Sequence, residues 1–231
     1  MTSATRKKRA WLRTSGALFL ALFPFSLCLF AQSPSVPYAQ FFGPDFDNVH
    51  LDHPYPGVYL SIRKVDFRNM RLIVFDQTGK TDTVLLFKNG IHKSKTKSEV
   101  DEAKLGDVAY LTSEGAANPE YALVIFHWMS VAGAADTDGY AQVFELTGHA
   151  LRVVQQLRWN EQFETREKYA FDAATKTLVA RSAHYITGDA HCCISAMDVF
   201  TLKWDGSAFV QTAVSTELSD YGKKEGKTLP K

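Results

Sequence analysis

From Gly57 onward, short runs of apolar, β-branched and aromatic residues alternate with clusters of turn formers, the pattern of strands joined by tight hairpins. In VYLSIRKVDF, Val58, Leu60 and Ile62 fall on one face and Tyr59, Ser61 and Arg63 on the other, which predicts a half-buried strand. MRLIVFD and DTVLLF flank QTGKT, a hairpin with Gly79 at the left-handed position, and Asn89-Gly90 supplies a second such turn. YALVIFHWMS is apolar without alternation, as expected of a central strand covered on both faces. Three more strand pairs follow, turning at Thr147-Gly148-His149, at DAATK and at Asp205-Gly206. KSKTKSEVDEAKLG is charged and weakly helical, and reads as a solvated excursion. The sum is a mainly β fold: a single antiparallel meander or sandwich-like domain of about ten strands with one or two short helices. The spacing matches an antiparallel meander more than βαβ alternation, which would demand helical patterns between strands, and no fixed period marks propeller blades.

The ends read differently. Five cations (Arg6, Lys7, Lys8, Arg9, Arg13) precede an apolar run from Ala17 to Phe30 closed by Ala31, the layout of a signal peptide over residues 1–31. The run is short for a membrane span and is interrupted by Pro24, so no transmembrane helix is expected in the mature chain. Cleavage after Ala31 or after Cys28 both fit, and Leu27 argues against Cys28 as a lipid-modified cysteine. Residues 32–56 hold five prolines and, among their aromatics, Tyr38, Phe41, Phe42 and Phe46, without periodic order, and read as a lead-in partly packed on the domain. The β-rich domain is expected over 57–215, followed by a flexible tail over 216–231.

Charge changes the picture once the signal is set aside. The whole chain has 26 basic and 25 acidic residues, but residues 1–31 carry five of the cations and no anion, so the remainder is near −4. A mildly acidic chain offers no footprint for phosphate backbones, which argues against nucleic acid as a partner. Export into the periplasm or cell envelope of a bacterium is the expected location.

The chain contains no G-x-S-x-G, H-E-x-x-H or Walker loop, so no catalytic residue and no cofactor are assigned and the expectation leans away from an enzyme. With Cys28 removed, Cys192 and Cys193 are the only cysteines, flanked by His184, His191 and Ser195. An oxidising compartment favours their oxidation. A bridge between neighbours is strained, because their Cα atoms lie about 3.8 Å apart where disulfides prefer 4.4–6.8 Å. A vicinal disulfide, reduced or intermolecular thiols, and a redox switch all remain open. As a metal set these residues are badly spaced, because adjacent strand residues point to opposite faces. No metal is assigned.

Weaker candidates are His50 and His53 in NVHLDHPYPG, Glu114 and Glu120 in a calcium-like loop that lacks most ligands, and Asp136 and Asp138 in a small-residue turn. Trp128, Trp159 and Trp204 suit either a sugar-binding face or the core of a β domain.

Over residues 105–210 the chain resembles uncharacterised exported bacterial domains of the LppP/LprE lipoprotein type. Cys192-Cys193-Ile194-Ser195 stands where those have Cys-Cys-Pro-Ser, followed by Phe200, Trp204, Gly206, Phe209 and Val210. Leu111, Thr112, Gly115 and Glu120 match an upstream element whose two aspartates are missing here. The resemblance implies an envelope location and a β fold, and no activity. The expected function is a non-catalytic binding or structural module with an unknown envelope ligand or protein partner. The alternatives are a thiol–disulfide switch at Cys192-Cys193 and a carbohydrate-binding module.

Overall fold

The computed structural model describes residues 46–95, 100–131, 135–161, 168–186, 189 and 193–229. The signal segment, the first part of the lead-in, and His191 and Cys192 lie outside them. The described residues form a mainly β, antiparallel structure of twelve strands in three sheets, with one short helix. None of their helices is long and apolar enough to cross a membrane.

The central sheet has six strands in the order β1-β8-β7-β6-β5-β4: β1 (Phe46–Tyr55), β8 (Ala150–Glu161), β7 (Ala135–Thr147), β6 (Tyr121–Val131), β5 (Val100–Leu111) and β4 (Ile91–Lys95). One face is covered by a hairpin of β2 (Arg71–Phe75) and β3 (Thr81–Leu86), together with two single 3-10 turns at Ile62–Lys64 and Phe67–Asn69. The other face is covered by a four-stranded sheet, β12-β11-β10-β9, built from β12 (Phe209–Leu218), β11 (Ala196–Trp204), β10 (Thr177–His184) and β9 (Tyr169–Asp172). Two cores result. Along β6, Ala122, Val124 and Phe126 enter the first and Leu123 and Ile125 the second, which explains its apolar run.

Irregularities in the strands assign side chains to layers. At Val143/Phe144 the β7–β8 register shifts, so Val153 faces the β2–β3 layer while Leu157 and Trp159 face the four-stranded sheet. Just past the shift, Gln155 and Gln156 point to opposite layers and each acts as an inserted peptide group. The Gln156 amide donates to the Phe75 carbonyl (2.7 Å) and accepts from the Phe75 N–H (3.1 Å). The Gln155 amide does the same with Phe209, at 2.9 and 2.8 Å. Gln142 donates to the Ile73 carbonyl (2.6 Å), and the Tyr55 hydroxyl accepts from the Ile73 N–H (3.0 Å). Side chains of the central sheet thus satisfy the edge of β2 that β3 leaves open.

The hairpin turns match their sequence chemistry. Asn89 and Gly90 both have positive φ, 53° and 79°, the requirement of a type I′ turn. The Thr78 hydroxyl, then the turn amides, hold the Asp76 carboxyl below the usual range; at Asp205 burial pushes the acid up, but the amides of Ala208 and Ser207 outweigh it and hold it below that range.

Three segments depart from the sequence reading. Residues 57–70 are not a strand: Ser61 and Asp66 cap the two 3-10 turns, Val58 and Leu60 are exposed, and Ile62, Val65 and Phe67 are buried instead. Ser/Asp side chains that bond the backbone two residues on favour turns over a ladder. The described residues of the charged 93–106 stretch belong to the β4–β5 pair, not to a weakly helical excursion. Glu102 takes Lys93 from across the β4–β5 pair (3.1 Å) and Lys104 from its own strand (3.0 Å), and Ala103, between Glu102 and Lys104 in β5, is buried. The second half of the lead-in is edge strand β1, paired along β8. Beyond residue 216, β12 continues to Leu218 and a helical turn, α1 (Asp220–Lys224), follows with Ser219 as its cap.

Candidate functional site

Two rows of residues cross the central sheet on the face shared with the four-stranded sheet. Register aligns Lys104, His127, Gly139 and Trp159 across β5, β6, β7 and β8, and beside them Glu102, Met129, Thr137 and Glu161. Along β6 this face is apolar at Leu123 and Ile125 and turns polar at His127. There a cleft of about 380 Å³ opens, lined by Glu102, Lys104, His127, Met129, Thr137 and Lys168. That volume lies at the small end of ligand sites.

Glu161 organises this wall. Its side chain is 0% exposed, and its two oxygens hold three donors: His127 Nδ1 at 2.6 Å and Lys168 Nζ at 3.3 Å on one, Trp159 Nε1 at 2.8 Å on the other. A buried carboxylate is tolerable only with such compensation. Its consequence for His127 is tautomeric. In the neutral imidazole, Nδ1–H donated to Glu161 leaves the lone pair on Nε2, and no described residue bonds that atom. The His127 side chain is one-quarter exposed, so the imidazole stands between a buried carboxylate and solvent.

Two glycines make this possible. A Cβ on Gly139 would lie 2.2 Å from Trp159 Cε2 and 2.5 Å from Glu161 Oε1, so only a bare backbone lets the indole and the carboxylate lie over β7. Gly106 sits where the β5–β6 register shifts between Leu105 and Val108. A Cβ there would meet the Tyr169 hydroxyl at 2.7 Å, the Ile125 carbonyl at 3.3 Å and His127 Nε2 at 3.5 Å. Tyr169 donates to Asp107 (2.8 Å) and its ring lies 5.4 Å from that of His127. Burial, then the bond to Asp107, push the Tyr169 phenol well above the ordinary tyrosine range, so it stays a donor.

A second cleft, of about 330 Å³, lies against the β2–β3 layer, with Asp47, Asp76, Asp82, Tyr140 and Arg158 among its walls. Its groups serve one another. Arg158 reaches Asp138 (2.9 Å) and Asp47 (3.7 Å), and Asp76 is held by its own turn.

The residues singled out from the sequence are placed as follows. Ser195 is buried and ties to Asp189, whose carboxylate also accepts the amides of Ile186 (2.9 Å) and Ser195 (2.8 Å). Burial pushes the Asp189 carboxyl up, but the Ser195 hydroxyl and amide, the Ile186 amide and the Lys227 ammonium outweigh it and hold the acid below the usual range. Gly222 of α1 approaches the Ser195 carbonyl so closely that a Cβ would lie 2.1 Å away. Ser195 is therefore an anchor for the segment that follows the cysteines. Cys193 is half-buried just before β11, while Cys192 and His191 lie outside the described residues. His184 Nδ1 donates to Asp198 across β10–β11 at 2.9 Å, and Asp198 also accepts from Thr216 (2.7 Å). The structure places His184 and Ser195 in separate hydrogen-bond networks.

Trp159 and Trp204 are core residues, and Trp128 packs against the β2–β3 core, so they form no exposed aromatic face. His50 and His53 flank the register shift in β1, where His53 packs on Phe75 (5.2 Å between centroids). Among the described residues no group of three or more His, Cys, Asp or Glu side chains is arranged to hold a metal ion. Asp138 is on β7, bound to Arg158, rather than in a turn.

His127, Glu161, Lys168, Tyr169 and Asp107 were not evident in the sequence. The available signals were a histidine where an apolar run ends in IFHWMS, and a glutamate at the end of the strand RVVQQLRWNE. No known protein family, characterised protein or solved structure matches the chain.

Proposed function

We propose that the protein is an exported, envelope-associated binding module and that its ligand occupies the His127 cleft. The observation that carries the cleft assignment is Glu161: a fully buried carboxylate that holds three donors, one of them the His127 imidazole at the wall of an open cleft. Core stability alone does not call for this arrangement, since a buried ion pair is commonly replaceable by apolar residues without loss. The N-terminal cation cluster and apolar run, and the resemblance to envelope lipoprotein domains, support export. The chain's lack of a recognisable nucleophile motif supports binding over catalysis. A thermal-shift screen of a small-molecule library on the purified protein tests the reading, repeated on His127→Asn. Stabilisation that is lost in the variant supports it. Stabilising ligands that act equally on both proteins, or steady catalytic turnover dependent on His127, overturn it.

A further inference from the structure

We infer that the ligand of this cleft is a small hydroxylated anion, held by Lys104 and Lys168 through its charged group and by His127 Nε2 through its hydroxyl. The inference rests on the cleft being the binding site and adds the chemical class of the ligand.

Glu161 is sealed from solvent and its oxygens are engaged by His127, Trp159 and Lys168. Glu102 is engaged on one oxygen by Lys93 and on the other by Lys104. Both carboxylates of the cleft are thus already neutralised by side chains of the protein. What is left over is mainly donor capacity. Each ammonium carries three N–H groups, and Lys104 and Lys168 each use only one on the carboxylate beside them, among the described residues. Lys104 is 65% exposed and Lys168 28% exposed, so both can reach a guest. Among the residues that line the cleft, Lys104 and Lys168 stand against the single carboxylate of Glu102, with Glu161 sealed behind His127.

One acceptor is also left over. His127 Nε2 has no bond from any described residue, because Glu161 claims Nδ1–H. A simple anion would meet that lone pair unfavourably. A ligand that carries a hydroxyl beside its anionic group donates to Nε2 while its oxygens accept from the lysines. Met129 offers an apolar wall for the carbon skeleton between them. The cleft volume, about 380 Å³, admits a molecule of few carbons. A carboxylate and a phosphate both satisfy this chemistry.

Isothermal titration of the purified protein with four probes separates the terms. Glycerate and glycerol phosphate carry both groups, propionate only the anion, and glycerol only hydroxyls. The expected result is that glycerate or glycerol phosphate binds at least tenfold more tightly than propionate and glycerol, and the better of the two identifies the anion. Lys104→Gln and Lys168→Gln are each expected to weaken that probe about fivefold or more, and His127→Asn to remove the preference for the hydroxyl. Lys104 is largely exposed, so its variant folds whatever the fate of the others. Equal binding of glycerate and propionate, or of wild type and Lys104→Gln, overturns the inference. So does failure of all four probes at millimolar concentration. If a neutral ligand instead stabilises wild type but not His127→Asn, the ligand class is wrong and the cleft assignment stands. If binding is unchanged in all three variants, the cleft assignment itself falls.

Discussion

Replacing Gly139 with alanine separates a packing requirement from a backbone one. Gly139 lies in the middle of β7 with no left-handed backbone, so alanine is conformationally acceptable there. In an unobstructed strand the change would stabilise by about 0.5–1 kcal/mol, because glycine loses more chain entropy on folding. Here the new methyl would sit 2.2 Å from Trp159 Cε2 and 2.3 Å from its Nε1. The indole is fully buried and cannot swing into solvent. Overpacking of this kind costs about 1–3 kcal/mol. Displacing the ring also breaks its 2.8 Å bond to Glu161, and a hydrogen bond to a charged group contributes about 1.5–3 kcal/mol. Set against the entropic gain, the net expectation is a loss of about 3 kcal/mol. Urea unfolding of Gly139→Ala and wild type, followed by tryptophan fluorescence and far-UV circular dichroism, gives the difference. An unchanged or raised midpoint would refute the claim that Gly139 exists to make room for Trp159 and Glu161.

Two further predictions concern the layers and their connections. Gln156→Leu strands the Phe75 N–H and carbonyl in the β2–β3 layer, and at about 1–3 kcal/mol per unmet buried group the loss is about 3 kcal/mol by urea unfolding. A change below about 1 kcal/mol would mean that the amide does not bridge the layers. Asp189 is held below its ordinary pKa when folded, so the stability it adds is complete above about pH 4 and is lost as pH falls through the lower folded value. Asp189→Asn is accordingly expected to be less stable at pH 7 and to lose less on acidification to pH 2–3, as read from denaturation midpoints across that range.

What the sequence made legible was local chemistry. Asn89-Gly90, Gly79, Gly148 and Asp205-Gly206 announce their turns because positive φ and Asx hydrogen bonds need particular residues within a few positions. The unbroken apolar run of β6 announced burial on both faces for an equally local reason. The cleft is different in kind. Lys104, His127 and Trp159 meet only through the register of four strands, and Gly139 matters only because Trp159 lies opposite it. Register is fixed by shifts such as the one at Leu105/Val108, which a single strand's pattern does not encode. The same nonlocality hid β5: Glu102, Lys93 and Lys104 read as a solvated charge run until the β4–β5 pairing sets Lys93 opposite Glu102. The vicinal cysteines drew notice for their chemistry, while Ser195 beside them proved to be an anchor bound to Asp189.

The account turns on Glu161 setting the state of His127. Long-range ¹H–¹⁵N correlation spectra of the histidine side chains, assigned with His127→Asn, report that state directly at a pH where the imidazole is neutral. The predicted pattern is a protonated Nδ1 and an unprotonated Nε2, reverting toward the usual tautomer mixture in Glu161→Gln. A His127 ring protonated at Nε2 in the wild-type protein would contradict it.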